Sequence, residues 1–217
     1  MGARENILAR IRARQGKGAI AAAAEREAVR SDLAAPARHP RPRLEGELRA
    51  RFRERAVALA STVEEVTAFA EAPAAVARYL KANCLPPAAV CWPQLAQLDW
   101  SGAGLRVEAR AARESDLVGI TGAFCAIAET GTLMTASGPD TPAATSLLPE
   151  THVALVRASR IVRGMEEAWA LARAELGALP RAVNFISGPS RSADIEQTVT
   201  LGAHGPYRVH IVLVTGA

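Results

Sequence analysis

Residues 152–187 read HVALVRASRIVRGMEEAWALARAELGALPRAVNFIS and change periodicity twice. The two ends, 152–158 and 182–187, are short and nearly all apolar, as strands covered on both faces are. The middle carries an apolar stripe at helical spacing that ends at Gly177, a residue type that favours a helix C-terminus. The members of this stripe are Met165, Trp169, Ala172 and Leu176. Strand, helix and strand in succession predict a crossover, which implies a largely parallel sheet with right-handed connections.

The rest of the chain continues the alternation of strands and helices. Further strand-like runs occur at 88–92, 105–109, 126–135 and 207–214. A long helix is predicted from residue 46, with Arg49, Arg51, Arg53 and Arg55 mostly off an apolar stripe formed by Leu48, Phe52, Ala56, Leu59 and Val63. Another helix is predicted after Pro73 and before Pro86. We therefore expect a three-layer α/β domain around a mixed, largely parallel sheet, preceded by a helical N-terminal arm.

The N-terminal region differs in composition from this domain. Ile7, Leu8 and Ile11 recur at helical spacing among arginines, which predicts a short amphipathic helix. The segment AAPARHPRPRLEG (34–46) is rich in proline and arginine and reads as a linker. The predicted organisation is a basic helical arm and linker over 1–45, followed by the α/β domain over 46–217. The helix could dock on a partner or pack back on its own core, and the sequence leaves both open.

Charge is uneven along the chain. Residues 1–55 hold 14 Lys and Arg against 7 Asp and Glu, whereas 56–217 hold 12 against 15. Only the arm is basic, and aromatic residues make up 4% of the chain, so the sequence lacks the basic face and stacking platforms of a nucleic-acid-binding domain. The sequence shows neither a membrane span nor the apolar block of a signal peptide, which favours a cytoplasmic protein.

The cysteines and histidines do not form a metal-binding pattern. Cys84, Cys91 and Cys125 are too few and too scattered for an iron–sulfur cluster or a disulfide framework. The four histidines lack the paired spacing of a zinc site, and no GxGxxG dinucleotide motif occurs. We expect no metal site and no cofactor bound by this chain alone.

The first candidate site combines GITGA (119–123) with AETGT (128–132). Glu129 lies inside an otherwise apolar run, where a carboxylate in a cleft can serve as a general base or nucleophile. Gly131 beside it permits a close backbone approach or a sharp turn. The alternative is a hairpin turn with a solvated glutamate. The candidate ligand-binding residues here are Thr121, Gly122, Thr130, Gly131 and Thr132.

The second candidate site is FISGPSRSADIE (185–196). A strand that runs into a Gly-Pro-Ser turn and a helix start would leave backbone amides free to bind a phosphate or carboxylate. Arg191 would add a bidentate contact. Helix capping by the same hydroxyl and carboxyl groups is the alternative. The candidate ligand-binding residues are Ser187, Gly188, Ser190, Arg191, Asp194 and Glu196.

The third candidate is His204 in LGAHGP (201–206), where flanking glycines and a proline indicate a tight loop. An imidazole there can reach a ligand and is a second, tentative catalytic residue beside Glu129. A surface histidine is the plainer interpretation. Since all three segments contain glycine and adjoin strand-like runs, we predict that Glu129, the 187–196 turn and His204 share one crevice.

Four strings in this order resemble the small members of the LUD-domain (lactate utilization) family. They are ENILARIRARQG, DLVGITGAFCAIAETGTLMTASG, SLLPETHVALVRASRIV and ISGPSRSADIEQTVTLGAHGPYRVHIVLV. The resemblance implies a fold similar to the sugar-phosphate isomerase and CoA-transferase proteins. It also implies a subunit or accessory protein of L-lactate oxidation to pyruvate, with a pocket for a small anion and with iron–sulfur clusters carried by partner proteins. The AFCAI stretch departs from the more polar approach expected before ETGT.

Two other functions remain open on the sequence. The chain could be a stand-alone enzyme of isomerase- or transferase-like fold that acts on a phosphorylated or thioester small molecule through Glu129 and the 187–196 turn. It could also be a regulatory or nucleic-acid adaptor that works through the basic arm. The sequence does not decide whether the isolated chain is catalytic, and it does not give the oligomeric state.

Overall fold

The computed structural model describes residues 2–18, 20, 22–34, 41–193 and 198–216. The chain divides into two compact units, residues 1–43 and 44–217. The first unit contains two helices, α1 (Ala3–Arg14) and α2 (Ala23–Ala34), and Ile7, Ile11 and Val29 on them are exposed. Across the described ranges, none of the helices combines the length and the apolar character that crossing a membrane requires.

The second unit alternates strands and helices. In chain order they are α3 (Leu48–Ala58), β1 (Thr62–Val66), α4 (Ala72–Ala82), β2 (Ala88–Cys91), β3 (Arg106–Ala109), β4 (Val118–Gly122), β5 (Cys125–Ile127), β6 (Thr132–Ala136), α5 (Ala144–Leu147), β7 (Thr151–Arg157), β8 (Ile161–Val162), α6 (Met165–Leu176), β9 (Val183–Ile186), β10 (Arg191–Ser192), β11 (Thr200–Leu201) and β12 (Arg208–Val214).

The central sheet has six strands in the order β1-β12-β7-β4-β2-β3. Every neighbouring pair in it is parallel. Strands β7 and β12 lie in the middle and are buried along almost their whole length, as their apolar sequences require. The predicted α/β class with a largely parallel sheet is confirmed.

A second sheet of four strands, in the order β8-β5-β6-β9, was not separated from the first by the sequence pattern. Its strands β5 and β6 form an antiparallel hairpin, and β9 pairs antiparallel with β6. The two sheets share one apolar cluster, in which Ala126 and Leu133 of the second sheet pack with Ala154 and Ile211 of the central sheet. The second sheet therefore covers one face of the central sheet.

Helices cover the remaining faces. Helix α4 packs on the opposite face of the central sheet through Ala72, Val76 and Leu80. Helix α6 packs on the outer face of the second sheet through Ala168 and Ala172. Helix α3 buries Phe52 and Ala56 completely in the cluster that joins the two sheets.

Two local expectations need correction. The helix predicted to continue to Val63 ends at Ala58, because Ala60 turns left-handed with φ of 66° and Thr62 begins strand β1. The apolar run 126–135 is two strands, β5 and β6, and residues 128–131 turn between them. Leu59 is the C-cap of the helix, whereas Val63 continues the helical spacing only by coincidence, since it lies on strand β1.

The crossover predicted over 152–187 is also wrong in detail. Strand β7 belongs to the central sheet, whereas β9 belongs to the second sheet. The short strand β8 carries the chain from one sheet to the other before α6 begins, because Ile161 and Val162 pair with Ala126 and Ile127 of β5. The helix therefore connects two sheets and does not return the chain to the first.

Candidate functional site

Two glycines allow the end of helix α3 to pack closely against two turns. Gly131 has φ of 70°, and a Cβ at this position would lie 2.4 Å from the backbone nitrogen of Ala56. Gly188 has φ of 77°, and its Cβ would lie 2.2 Å from the carbonyl oxygen of Leu59. No other residue type fits either position without moving the backbone. The glycines of ETGT and SGP thus bring the helix against both the β5–β6 turn and the end of β9.

A row of hydroxyl groups runs along this junction. Thr130 Oγ1 donates to Thr132 Oγ1 at 2.7 Å, and Thr132 Oγ1 lies 2.7 Å from Ser187 Oγ. Thr132 is buried, whereas Thr130 and Ser187 are exposed at the two ends of the row. The second sheet therefore brings the ETGT and SGP segments together, although 55 residues separate Thr132 from Ser187 in sequence.

A cavity of about 380 Å³ lies beside the hydroxyl row. Its lining residues come from three elements and are Arg55, Ala58, Leu59, Glu129, Thr130 and Ser187. On helix α3, Arg49, Arg51 and Arg53 pair with Glu47, Glu54 and Glu65. Arg55 makes no ion pair within the part of the chain that the structure describes, so the cavity has one cation without a carboxylate partner.

Arg55 was not among the sequence candidates. The available signal was weak: no acidic residue stands three or four positions from Arg55, but the same is true of Arg53, which pairs with Glu65 from strand β1. Only the tertiary structure shows that, among the described residues, Arg53 has a carboxylate within pairing distance and Arg55 does not.

Glu129 is half-buried between this cavity and the start of helix α6. Its backbone N–H donates to the carbonyl oxygen of Arg163 at 3.0 Å. Its carboxylate lies at Gly164, the N-cap of α6, since a Cβ on Gly164 would be 2.9 Å from Glu129 Oε2. The amino end of a helix carries partial positive charge, which stabilises a carboxylate there. The Gly164 N–H itself donates to Glu167 Oε2 at 3.1 Å, so Glu129 shares this helix end with another carboxylate. The carboxylate of Glu129 can accept a hydrogen bond from a ligand in the cavity.

Ser190, in the described part of the 187–196 segment, lies next to the predicted loop of His204. The N–H of Ser190 donates to the carbonyl oxygen of Pro206 at 2.8 Å, and the N–H of Gly202 donates to Ser190 at 2.9 Å. Arg191 is exposed and its Nη2 donates to the carbonyl oxygen of Leu59 at 3.4 Å. His204 is exposed and is not among the described residues that line the cavity.

The amide cradle expected after Gly188 has a different structure. Residues 191–192 form strand β10, which pairs with β11, where a helix start was predicted. The amide of Ser190 is occupied by Pro206. Asp194 and Glu196, two of the predicted ligand-binding residues, lie outside the described residues.

Thr121 and Gly122 lie elsewhere. Thr121 is fully buried on β4, and its Oγ1 is 2.8 Å from His152 Nε2. Gly122 lines a larger cavity of about 740 Å³ at the end of β4. The structure therefore gathers Glu129, Thr130 and Ser187 around one cavity and separates them from the 119–123 segment.

Two histidines are buried in the central sheet. His152 bonds to Thr121, and His210 Nδ1 is 2.8 Å from Thr62 Oγ1 while its ring stacks on Tyr79. Burial lowers the pKa of each imidazole from 6.5 to about 4. Both are therefore neutral at pH 7 and belong to the core.

Comparison with known proteins places the sequence in context. A model of the LUD domain matches residues 49–214. Lactate utilization protein C of Bacillus subtilis is 40% identical over 101 residues, which are 45% of this chain and 42% of that protein. The protein of the same name from an Exiguobacterium species is 45% identical over 100 residues, which are 45% of this chain and 44% of that protein. The match thus spans less than half the length of these relatives.

A crystal structure of a DUF162 family protein from Deinococcus radiodurans has the same fold. It superposes with a TM-score of 0.57 at 26% identity and covers 80% of this chain and 99% of that chain. The similarity therefore extends over most of this chain.

Proposed function

Since this chain belongs to the LUD-domain family, we propose that it is a subunit or accessory protein of a cytoplasmic L-lactate utilization system. In such a system lactate is oxidised to pyruvate, and iron–sulfur proteins act as partners of this chain. The observation that carries the proposal is the match of residues 49–214 to the LUD domain together with relatives that bear the name lactate utilization protein C.

The cysteine arrangement supports a division of labour in which the partners carry the redox centres. Lactate oxidation releases two electrons and two protons, so the system needs an electron acceptor. Cys84 is exposed, whereas Cys91 and Cys125 are buried on separate strands. Burial raises the pKa of both buried thiols to about 11, which keeps them protonated at pH 7.

The smaller cavity supports the second part of the proposal, a site for a small anion. Arg55 can bind a carboxylate, and Ser187 can donate its hydroxyl proton to a neighbouring ligand oxygen. Thr130 donates its own proton to Thr132 and can accept a hydrogen bond from a ligand hydroxyl group. Glu129, on the same wall, can accept the proton of a ligand hydroxyl group. A short hydroxy acid presents these groups in one molecule.

Complementation of lactate-dependent growth tests the role in lactate use. A strain lacking the native gene should regain growth on L-lactate when it expresses this chain, and the tagged chain should co-purify with iron–sulfur proteins from lactate-grown cells. Growth on lactate without the chain, together with an absence of such partners, would contradict the proposal. Turnover of a phosphorylated or thioester substrate by the purified chain would instead favour the stand-alone enzyme.

Substitutions in the cavity test the anion site separately. Arg55→Gln and Glu129→Gln should impair lactate-dependent growth while the melting temperature stays within a few degrees, because both positions are at least partly exposed. Arg49→Gln is the matched control on the same helix, since Arg49 lies outside the cavity. Equal growth of all three variants would contradict the proposed anion site without contradicting the proposed role in lactate use.

A further inference from the structure

A second cavity, of about 740 Å³, opens at the carboxyl ends of three neighbouring strands of the central sheet. Trp92 follows β2, Gly122 ends β4 and Arg157 ends β7, and all three line it. Open parallel sheets bind their ligands in crevices at this edge. The cavity is distinct from the one beside Glu129, with which it shares no described lining residue.

The walls of this cavity combine apolar side chains, aromatic rings among them, with polar groups. Its larger apolar lining residues include Phe69, Trp92, Leu98, Phe124, Leu155 and Leu176. Polar side chains are interspersed among them, notably Gln94, Gln97 and Ser137. The Ser137 hydroxyl accepts a hydrogen bond from Ala182 N–H at 2.9 Å and still has its own proton to donate. Such a lining suits a ligand with an apolar body and few polar groups.

The charges of the lining sum to a single unpaired cation. Arg160 is neutralised by Glu175 through two bonds of 2.6 and 2.8 Å, and its Nε donates to the carbonyl oxygen of Phe124. Arg157 makes no ion pair within the described ranges of the chain. Its guanidinium lies 4.1 Å from the centre of the Phe69 ring, which fixes its position without cancelling its charge.

We propose that this cavity binds an organic monocarboxylate with a bulky aromatic or similarly apolar body, and that Arg157 holds the carboxylate. One unpaired guanidinium balances one negative charge, whereas a phosphate monoester would bring more charge than the lining compensates. Lactate would fill only a small part of the space, so the ligand is a larger molecule than the one proposed for the cavity beside Glu129. The assignment does not depend on the role in lactate use.

The indole N–H of Trp92 provides a local reporter, because it lies in this wall and donates to the carbonyl oxygen of Pro142 at 3.0 Å. The other tryptophans, Trp100 and Trp169, do not line the cavity and serve as internal references. The full chain is titrated with naphthoate, and heteronuclear NMR records the resonances of the three indole N–H groups at each step. We expect a saturable shift of the Trp92 resonance and no comparable shift of the other two.

Variants of Arg157 test the anchoring group. Arg157→Gln should weaken naphthoate binding about tenfold or more, since a charge-assisted hydrogen bond is lost, and Arg157→Lys should retain part of the affinity. Arg106→Gln is the control, because Arg106 is an exposed arginine at the start of strand β3, outside the cavity lining. Arg157 is itself exposed, so these variants should keep the melting temperature of the parent chain.

Competing ligands decide the chemistry. The neutral analogue naphthalenemethanol should bind more weakly than naphthoate, and naphthyl phosphate should not bind more tightly. Unchanged affinity in Arg157→Gln, or equal binding of the neutral analogue, would overturn the assignment of Arg157. Tighter binding of naphthyl phosphate, or saturation of the same shift by L-lactate, would overturn the ligand class. Equal shifts at all three tryptophans would show nonspecific binding and overturn the site.

Discussion

At the scale of single residues, two positions other than glycine adopt left-handed backbone conformations within the described chain, Ala60 and Cys84. Each ends a helix in the same way. The N–H of Ser61 donates to Ala56 and that of Ala60 to Val57, and the corresponding bonds close α4 at Cys84 and Leu85. This is the Schellman arrangement, in which glycine is the usual left-handed residue. The side chain at both positions therefore adds strain that the helix ends do not need.

Ala60→Gly should raise the free energy of unfolding by about 0.5–1 kcal/mol. Relief of left-handed strain is worth about 1–2 kcal/mol, and the added entropy of glycine in the unfolded chain offsets about half of it. Ala60 is exposed, so no packing is lost. Urea unfolding checks the value. Ala58→Gly, at the last residue of the helix, is the opposite control and should lower the free energy of unfolding by up to about 1 kcal/mol.

The buried histidines give the stability a defined pH dependence. In the folded chain the pKa of His152 is about 4, whereas in the unfolded chain it has its ordinary value of 6.5. The unfolded state therefore binds more protons between these values, and the free energy of unfolding falls as the pH drops from 6.5 to 4. Above 6.5 the imidazole is neutral in both states, so its contribution is constant there.

His152→Gln should reduce the loss of stability between pH 7 and pH 5 by about 2 kcal/mol, because one proton no longer binds on unfolding. Urea titrations of both proteins at the two pH values measure the difference. His204→Gln, the same substitution at an exposed histidine, is the matched control. An equal pH dependence of wild type and His152→Gln would contradict the burial argument.

At the scale of secondary-structure elements, the end of helix α3 depends on two glycines from distant turns. Gly131→Ala and Gly188→Ala should each cost about 2–4 kcal/mol, since a Cβ collides with the helix backbone and φ is positive. Gly177→Ala measures the cost of the positive φ alone, because φ is 66° there and no atom lies within 4 Å of the added Cβ. It should cost about 1 kcal/mol. Chemical denaturation compares the three variants, and equal losses would contradict the close approach.

The elements also show how far the sequence pattern reaches. The prolines near its two ends predicted helix α4, and apolar periodicity or apolar runs predicted α6 and the strands β2, β3, β7 and β12 of the central sheet. Periodicity could not show that β7 and β9 belong to different sheets, because the two-residue strand β8 that changes sheets is too short to have a period. The left-handed turn at Ala60 carried no glycine, so the helix was predicted too long.

The sequence indicated some of the residues around the cavity beside Glu129 and missed others. Glycines marked the ETGT and SGP turns, and the second sheet joins these turns through Thr132 and Ser187. The sequence analysis also grouped Thr121 and Gly122 with these turns, because it assumed that all the strands belong to one sheet and end at a common edge. The structure divides the strands among separate sheets, and Thr121 and Gly122 lie on the central one. Only the structure identifies Arg55 as a cavity residue. The sequence of a helix does not show whether a carboxylate from another element will pair with an arginine on its surface.

At the scale of the whole molecule, the two cavities lie in residues 44–217, and so do all the described residues of the apolar clusters. Residues 1–43 contribute no buried residue within the described ranges. Residues 1–43 hold 10 Lys and Arg against 4 Asp and Glu, whereas residues 44–217 hold 16 against 18, so the net positive charge lies in the arm. The ligand sites and the basic arm are therefore carried by different parts of the sequence.

Removal of residues 1–43 should leave a cooperatively folded domain with a melting temperature within a few degrees of the full chain. The cut falls before Leu44, whose carbonyl oxygen accepts a hydrogen bond from Arg163 Nη1 at 2.8 Å, and before α3. Thermal unfolding followed by circular dichroism measures the transition. A deletion that continues to residue 59 is the control and should abolish the transition, since it removes Phe52 and Ala56, both 0% exposed, from the core between the two sheets. Loss of cooperativity in the shorter deletion would show that the arm belongs to the folding unit. If the short deletion melts normally but no longer supports growth on lactate, the arm serves an interaction outside the α/β domain.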